Sequence, residues 1–209
     1  MQPTVTDLLQ KYLPLQAVEP IRSLIDKYQV DLTITRDRKT KRGDFRPGVN
    51  GRRHHITVNG NLNKYEFLLV VLHELAHVYV FNKHARHTAP HGKEWKETFG
   101  AFIRQSVEKK LFDPSLDALL DEYSYKIKAS GISDVELTRA LKTFDERQDA
   151  CTWQFLDELP DGGVFETKNK RRYVKAGKIR KRYRCICMTT KREYAFNPVA
   201  EVRLIAKDD

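Results

Sequence analysis

Apolar residues recur three or four positions apart through the first part of the chain. Leu8, Leu9, Leu13, Leu15, Val18, Ile21, Leu24, Ile25 and Tyr28 carry the pattern, and Pro14 and Pro20 interrupt it. This spacing predicts two short helices between residues 5 and 28. From Asp31 to Arg36 the pattern becomes an alternation of apolar and polar residues, and His55-Ile-Thr-Val-Asn repeats it up to an Asn59-Gly60 turn. Two strands are expected, paired as a small antiparallel sheet across a loop rich in glycine, proline and basic residues. From about Leu62 to Asn82 the chain is strongly apolar and free of glycine and proline, which predicts a largely buried helix.

Trp95, Phe99, Phe102, Ile103 and Val107 are spaced for one apolar face of a helix over Lys93 to Lys110. A short helix is expected from Pro114 to Tyr123. Ser133-Asp-Val-Glu136 reads as a capping box opening another helix that runs to about Phe144. Past residue 150 the pattern is that of strands: Val164 to Thr167, Arg171 to Val174, Arg180 to Met188, Glu193 to Phe196 and Val199 to Ile205, punctuated by Asp161-Gly162-Gly163 and Asn197-Pro198. The expected fold class is α+β: a mainly helical domain with a small antiparallel sheet over 1–148, then a compact antiparallel β module over 149–209.

Composition narrows the setting. At 209 residues, 40% apolar and 32% charged, the chain can bury a real core and has a charged surface. The N-terminal stretch lacks the apolar run and small-residue cleavage site of a secretory signal, and no segment reaches the roughly 20 apolar residues of a membrane span. Cys151, Cys185 and Cys187 are odd in number and form no C-x-x-C pair, so a disulfide framework is not expected and a reducing cytoplasm fits. The net charge of +10 is concentrated: ten basic residues and no acidic one lie between Lys168 and Arg184, which accounts for the whole surplus. A weaker basic stretch runs from Arg36 to Arg53, diluted by Asp37 and Asp44.

The predicted buried helix contains His73-Glu-Leu-Ala-His77. Residues four apart share a helix face, so His73 and His77 can aim their imidazoles at one point, at the usual Zn–N distance of about 2.0–2.1 Å. Glu74 lies one step around the helix, placed to take a proton from water activated at the metal. This arrangement predicts one Zn²⁺ and a hydrolytic reaction. Two buried histidines and a carboxylate on an apolar helix would be costly without a compensating ion. A third protein ligand is needed, and the candidates are His84, His87, His91, Glu94 and Glu97. The third-ligand spacing of metzincins would require glycine at Val80 and histidine at Lys83, so that arrangement is excluded. His91 precedes Gly92, whose missing side chain would let backbone come near a metal.

His73-Glu-Leu-Ala-His77, a loop, and then His91-Gly-Lys-Glu-Trp95 resemble the SprT-like family, which includes Spartan-type proteases of DNA–protein crosslink repair. The resemblance covers roughly residues 5 to 110 and is sharpest from Leu68 to Phe99. It implies a zincin-like catalytic domain, a zinc-dependent endopeptidase activity with Glu74 as catalytic base, His91 as the third ligand beside His73 and His77, and protein substrates attached to or held on DNA. Many members carry a C-terminal zinc ribbon with two cysteine pairs. This sequence departs from that pattern: Cys185-Ile-Cys187 alternates as strand residues do, and a metal-free β module is expected in the ribbon's place.

The basic run offers a way to reach such substrates. Lys168, Lys170, Arg171, Arg172, Lys175, Lys178, Arg180, Lys181, Arg182 and Arg184 can neutralise phosphates, and the interleaved Tyr173 and Tyr183 can stack on bases. DNA contact without sequence specificity is expected, single-stranded or junction DNA included. The segment from His54 to Val58 is a candidate for holding substrate by strand addition, with His54 and His55 as edge-strand residues rather than ligands. Two other readings remain open on sequence alone: a non-catalytic, zinc-stabilised nucleic-acid-binding protein, and a zinc hydrolase of a non-peptide amide.

Overall fold

The computed structural model describes residues 5–38, 41–84, 88–127, 134–145 and 153–205. The chain forms two compact units, Met1–Asp145 and Glu146–Asp209. The first begins with helices α1 (Val5–Tyr12) and α2 (Val18–Lys27), whose Leu9, Ile21 and Ile25, with Leu13 just after α1, are buried at the spacing the sequence shows. Strands β1 (Val30–Thr35), β2 (Gly43–Arg46) and β3 (His54–Asn59) follow and form one sheet in the order β1-β3-β2.

That sheet corrects two expectations. β1 and β3 pair in parallel, Val30 opposite His54, because the chain returns on β2 before it reaches β3; only β2 and β3 are antiparallel, with Gly43 opposite Val58. β2 lies in the segment read as a loop, since Gly-Asp-Phe-Arg is too short for alternation to declare a strand. β3 is therefore central and paired on both sides. The segment from His54 to Val58 has no free edge for a substrate strand, and the sheet's outer edges belong to β1 and β2. His54 is likewise no edge residue. It is buried, its Nδ1 accepts from the Gly48 N–H at 3.0 Å, and its Nε2 meets Asn82 Oδ1 at 2.8 Å. Since Nδ1 accepts, Nε2 carries the proton.

Helix α3 (Lys64–His84) starts where Asn63 Oδ1 accepts from the backbone N–H groups of Tyr65 and Glu66, a side-chain cap. Its residues 66–72, 74–76, 78 and 80 are buried, so it runs through the core as a helix that is apolar on nearly every side must. Helix α4 (Lys93–Glu108) packs on it, α5 (Asp117–Tyr125) on α4 and α6 (Val135–Lys142) on α5, with Trp95, Phe99, Ile103, Leu120, Leu137 and Leu141 inward. The cap of α6 is Asp134, whose side chain accepts from Leu137 N at 3.0 Å, one residue later than the expected box. Ser133 lies outside the described residues.

The second unit is a six-stranded antiparallel sheet of β4 (Gln154–Phe155), β5 (Val164–Glu166), β6 (Arg172–Ile179), β7 (Arg182–Cys187), β8 (Glu193–Phe196) and β9 (Glu201–Ile205), in the order β4-β9-β5-β6-β7-β8. β6 runs on past Val174 to Ile179 through an irregularity between Lys175 and Gly177. Leu156, Leu159, Phe165, Tyr173, Cys185, Cys187 and Val202 make the core. Cys185 and Cys187 are buried strand thiols, and Cys151 lies outside the described residues. Among the described residues, no helix is long and apolar enough to cross a membrane.

Candidate metal centre

His73 and His77 stand one turn apart on α3, and His91 reaches them from the turn before α4. The Nε2 atoms of His77 and His91 are 3.1 Å apart, and those of His91 and His73 3.2 Å. Three Zn–N bonds of about 2.0–2.1 Å at tetrahedral angles would put their nitrogens about 3.3–3.4 Å apart. The donor set and its spacing therefore fit a tetrahedral ion with one position open. Among the described residues, these three histidines form the group of His, Cys, Asp or Glu side chains close enough to share a metal. His84, Glu94 and Glu97 lie outside it, and His87 is outside the described residues.

Two local features bring His91 in. Its backbone is left-handed, with φ at 59°, a conformation that histidine tolerates better than most residues but that still carries strain. Gly92 follows in an ordinary conformation, φ −69°. The turn itself requires its missing side chain: a Cβ there would fall 2.9 Å from the Ala89 carbonyl, to which Gly92 N–H donates. Trp95 forms the floor, its ring centre 4.5 Å from His91, 4.6 Å from His73 and 5.2 Å from His77, while its Nε1 donates to the His73 carbonyl at 3.4 Å. Phe45 of β2 stacks parallel to His77, and Phe99 meets His73 edge-on.

Such surroundings keep the imidazoles neutral, as metal ligation requires. Burial, reinforced by the neighbouring histidines, lowers His73 to about 3 and His77 to about 4; burial and then Lys96 lower His91. Glu74 is buried next to them and faces β2, with no hydrogen bond to any described residue. Burial first, and Asp44 second, raise it to about 8 against the pull of Arg38 and Lys41.

A pH optimum follows for metal-free protein. Below 6.5 the unfolded chain takes up protons that folded His73 and His77 refuse, so their contribution is present above 6.5 and lost as pH falls towards 4 and then 3. Glu74 has the opposite sign: its contribution is complete below 4.5 and lost as pH rises through about 8. At about 1.4 kcal/mol per pH unit per group, the two histidines outweigh Glu74 on the acid side, and these groups together place maximal stability near pH 6.5. Thermal melts of chelator-treated protein across pH 4–9 check this; a flat profile would show that these groups are not buried as described.

β2 comes very close to Glu74. A Cβ on Gly43 would stand 2.3 Å from Glu74 Oε1 and 2.8 Å from Val70 Cγ1, so only glycine lets the strand lie against α3 here. Gly43→Ala is expected to lower stability by about 1–3 kcal/mol in denaturant unfolding, as overpacked cores do. Gly43, Asp44 and Phe45 were missed in the sequence because the strand carrying them was.

The basic module is rearranged relative to its sequence. Tyr173 and Lys175, both expected to touch nucleic acid, point into the core. Lys175 Nζ donates to the Leu159 carbonyl at 2.5 Å and sits 4.1 Å over the Tyr183 ring, satisfying carbonyl groups left by the 3₁₀ turn at Leu156–Glu158. Strand alternation forces this, since every second residue of β6 must face inward. Lys168 pairs with Glu201, Arg172 with Glu166 at 3.8 Å and Arg184 with Glu193 at 3.7 Å. Lys170, Arg171, Lys178, Arg180, Lys181 and Arg182 are exposed and make no ion pair among the described residues.

In comparison with known families, the model described as the SprT-like family matches residues 22–110, which run from within α2 to the end of α4 and include all three histidines. No curated protein and no solved structure matches the chain.

Proposed function

We propose, from the match of residues 22–110 to the SprT-like family, that the chain is a zinc-dependent metallopeptidase acting on proteins associated with or crosslinked to DNA. The observation that carries the proposal is the convergence of three imidazole nitrogens at 3.1 and 3.2 Å beside a buried carboxylate. His73, His77 and His91 would hold the ion. Bound there, zinc supplies Lewis acidity that polarises a carbonyl and acidifies water. Glu74 takes the proton from the attacking water and returns it to the departing amine nitrogen, so that one carboxyl serves as base and then as acid. The free edge of β2, beside Glu74, offers backbone N–H and C=O groups along which an extended substrate can lie.

The β module is proposed to bring the enzyme to DNA through phosphate contacts without reading sequence. With Tyr173 in the core, its exposed cations carry that role.

The test is metal content of the purified protein measured together with cleavage of a DNA-bound protein, with and without chelator. One zinc per chain and chelator-sensitive cleavage are expected. Bound zinc without cleavage of any protein would leave a non-catalytic zinc protein, and products from a small amide but not from proteins would leave a different hydrolase.

A further inference from the structure

Three tight turns of the module that carry exposed cations share a backbone feature. Lys170, Arg180 and Lys191 each have left-handed φ, at 62°, 47° and 56°. All three are exposed, and each turn is closed by backbone pairing. Lys170 N–H donates to the Thr167 carbonyl at 2.7 Å and Thr167 N–H to Arg171 at 3.0 Å; Lys191 N–H donates to Cys187 at 2.9 Å; Ile179 pairs with Arg182 across Arg180-Lys181. Turns of this kind favour glycine or asparagine at the left-handed position, because a Cβ is crowded there. The same module does use glycine at its other left-handed positions, Gly162 and Gly177. At the three tips it has a cation instead.

Lys170 and Lys191 belong to neighbouring turns, since Met188 N–H donates to the Arg172 carbonyl at 3.0 Å between them. Arg180 is at the far end of β6, about 23 Å away at the usual strand rise of about 3.3 Å per residue. The basic run of the sequence is thus split between two ends of the sheet. The turn before β8 adds Lys191 and Arg192, which lie beyond that run.

We infer that these left-handed tips are the module's phosphate contacts, with strain accepted so that a cation stands clear of the sheet where a nucleic-acid backbone can reach it. The inference rests on the reading that the module binds DNA, and it names the residues that do so. An observed backbone outlier is a sound starting point for assigning function. Strand-face Arg172 and Arg184 already have carboxylates beside them, whereas Lys170, Arg180 and Lys191 have no ion pair among the described residues; Lys178 and Arg182, also exposed and without an ion pair, flank the Arg180 tip.

The experiment uses the full chain, the substitutions Lys170→Gly, Arg180→Gly and Lys191→Gly, and Lys110→Gly as control. Lys110 is equally left-handed, φ 54°, but lies at the end of α4 in the first unit. Binding is read by fluorescence anisotropy with a labelled mixed-sequence duplex of roughly 30 base pairs over a salt series. All four variants are expected to melt at or above the wild-type temperature. In about 0.1 M salt the three module variants should bind roughly five- to tenfold more weakly each, and the triple variant should lower the salt slope by about 3. Lys110→Gly should bind as wild type. Wild-type binding that survives all three substitutions would sink this inference and leave the DNA reading intact. Wild-type protein that binds neither this duplex nor a single strand of the same length would remove both. Lower melting temperatures would make the three residues structural, and equally tight binding to polyglutamate would make the partner an acidic protein; either result overturns the assignment.

Discussion

Replacing Glu74 with glutamine is expected to leave one zinc per chain and to lower cleavage of a protein substrate by about 10²–10⁴-fold. The substitution preserves volume where volume is critical, because β2 passes so close at Gly43 that a single added carbon would collide with the side chain. It leaves the three imidazoles, their spacing and the Trp95 floor untouched. What it removes is the basic oxygen beside them. The loss corresponds to about 3–5 kcal/mol of transition-state stabilisation. Metal content and kcat/KM on the same preparation make the measurement. A rate within tenfold of wild type would remove Glu74 from the proposed role, and loss of zinc along with rate would make it a support for the imidazoles.

The surroundings of Glu74 show why its partners matter. Burial and Asp44 favour its neutral form, and Arg38 and Lys41 oppose them. Arg38 is fixed in place: its Nε donates to Asn59 Oδ1 at 2.8 Å and its Nη1 to Thr57 Oγ1 at 2.9 Å, both on β3. Asn59 returns a hydrogen bond to the Lys41 carbonyl at 3.1 Å. The segment before β2, which in the sequence is only a diluted basic stretch, is anchored to the sheet so that its cations act on the carboxyl. A bound dication would act in the same direction as those cations, favouring the ionised base.

The legible parts of this protein were those governed by periodicity and chemistry over many residues. The buried helix was plain because a run from Phe67 to Val80 interrupted only by His73, Glu74, His77 and Tyr79 has nowhere to go but the core. The histidine pair was plain because helix geometry fixes the relation of His73 to His77. Less of the sheet could be read. β2 has four residues and one large apolar side chain, so neither its existence nor the parallel pairing it imposes on β1 and β3 has a local signature. The basic run misled for a related reason. A count of charges ignores that β6 alternates, which sends Tyr173 and Lys175 inward, and that two turns gather Lys191 with Lys170 from 21 positions apart.

His91→Ala should lower zinc affinity by about 10²–10³-fold. Structural zinc sites contribute roughly 10–16 kcal/mol over four ligands, so one ligand carries about 2.5–4 kcal/mol. His84→Ala is the matched control, since His84 closes the same helix but lies outside the convergent group. Zinc titrations followed by melting temperature would show the wild-type and His84→Ala curves together and His91→Ala displaced to higher zinc, because a ligand that binds only the folded state raises stability in proportion to the logarithm of its concentration over Kd. Wild-type affinity in His91→Ala would assign the third position to another residue. A second comparison isolates the backbone. At φ 59° alanine keeps the left-handed strain that histidine bears, and glycine does not, so His91→Gly should melt above His91→Ala in the absence of metal while binding zinc no better. If both hold, the strained backbone at residue 91 is retained for the imidazole it delivers.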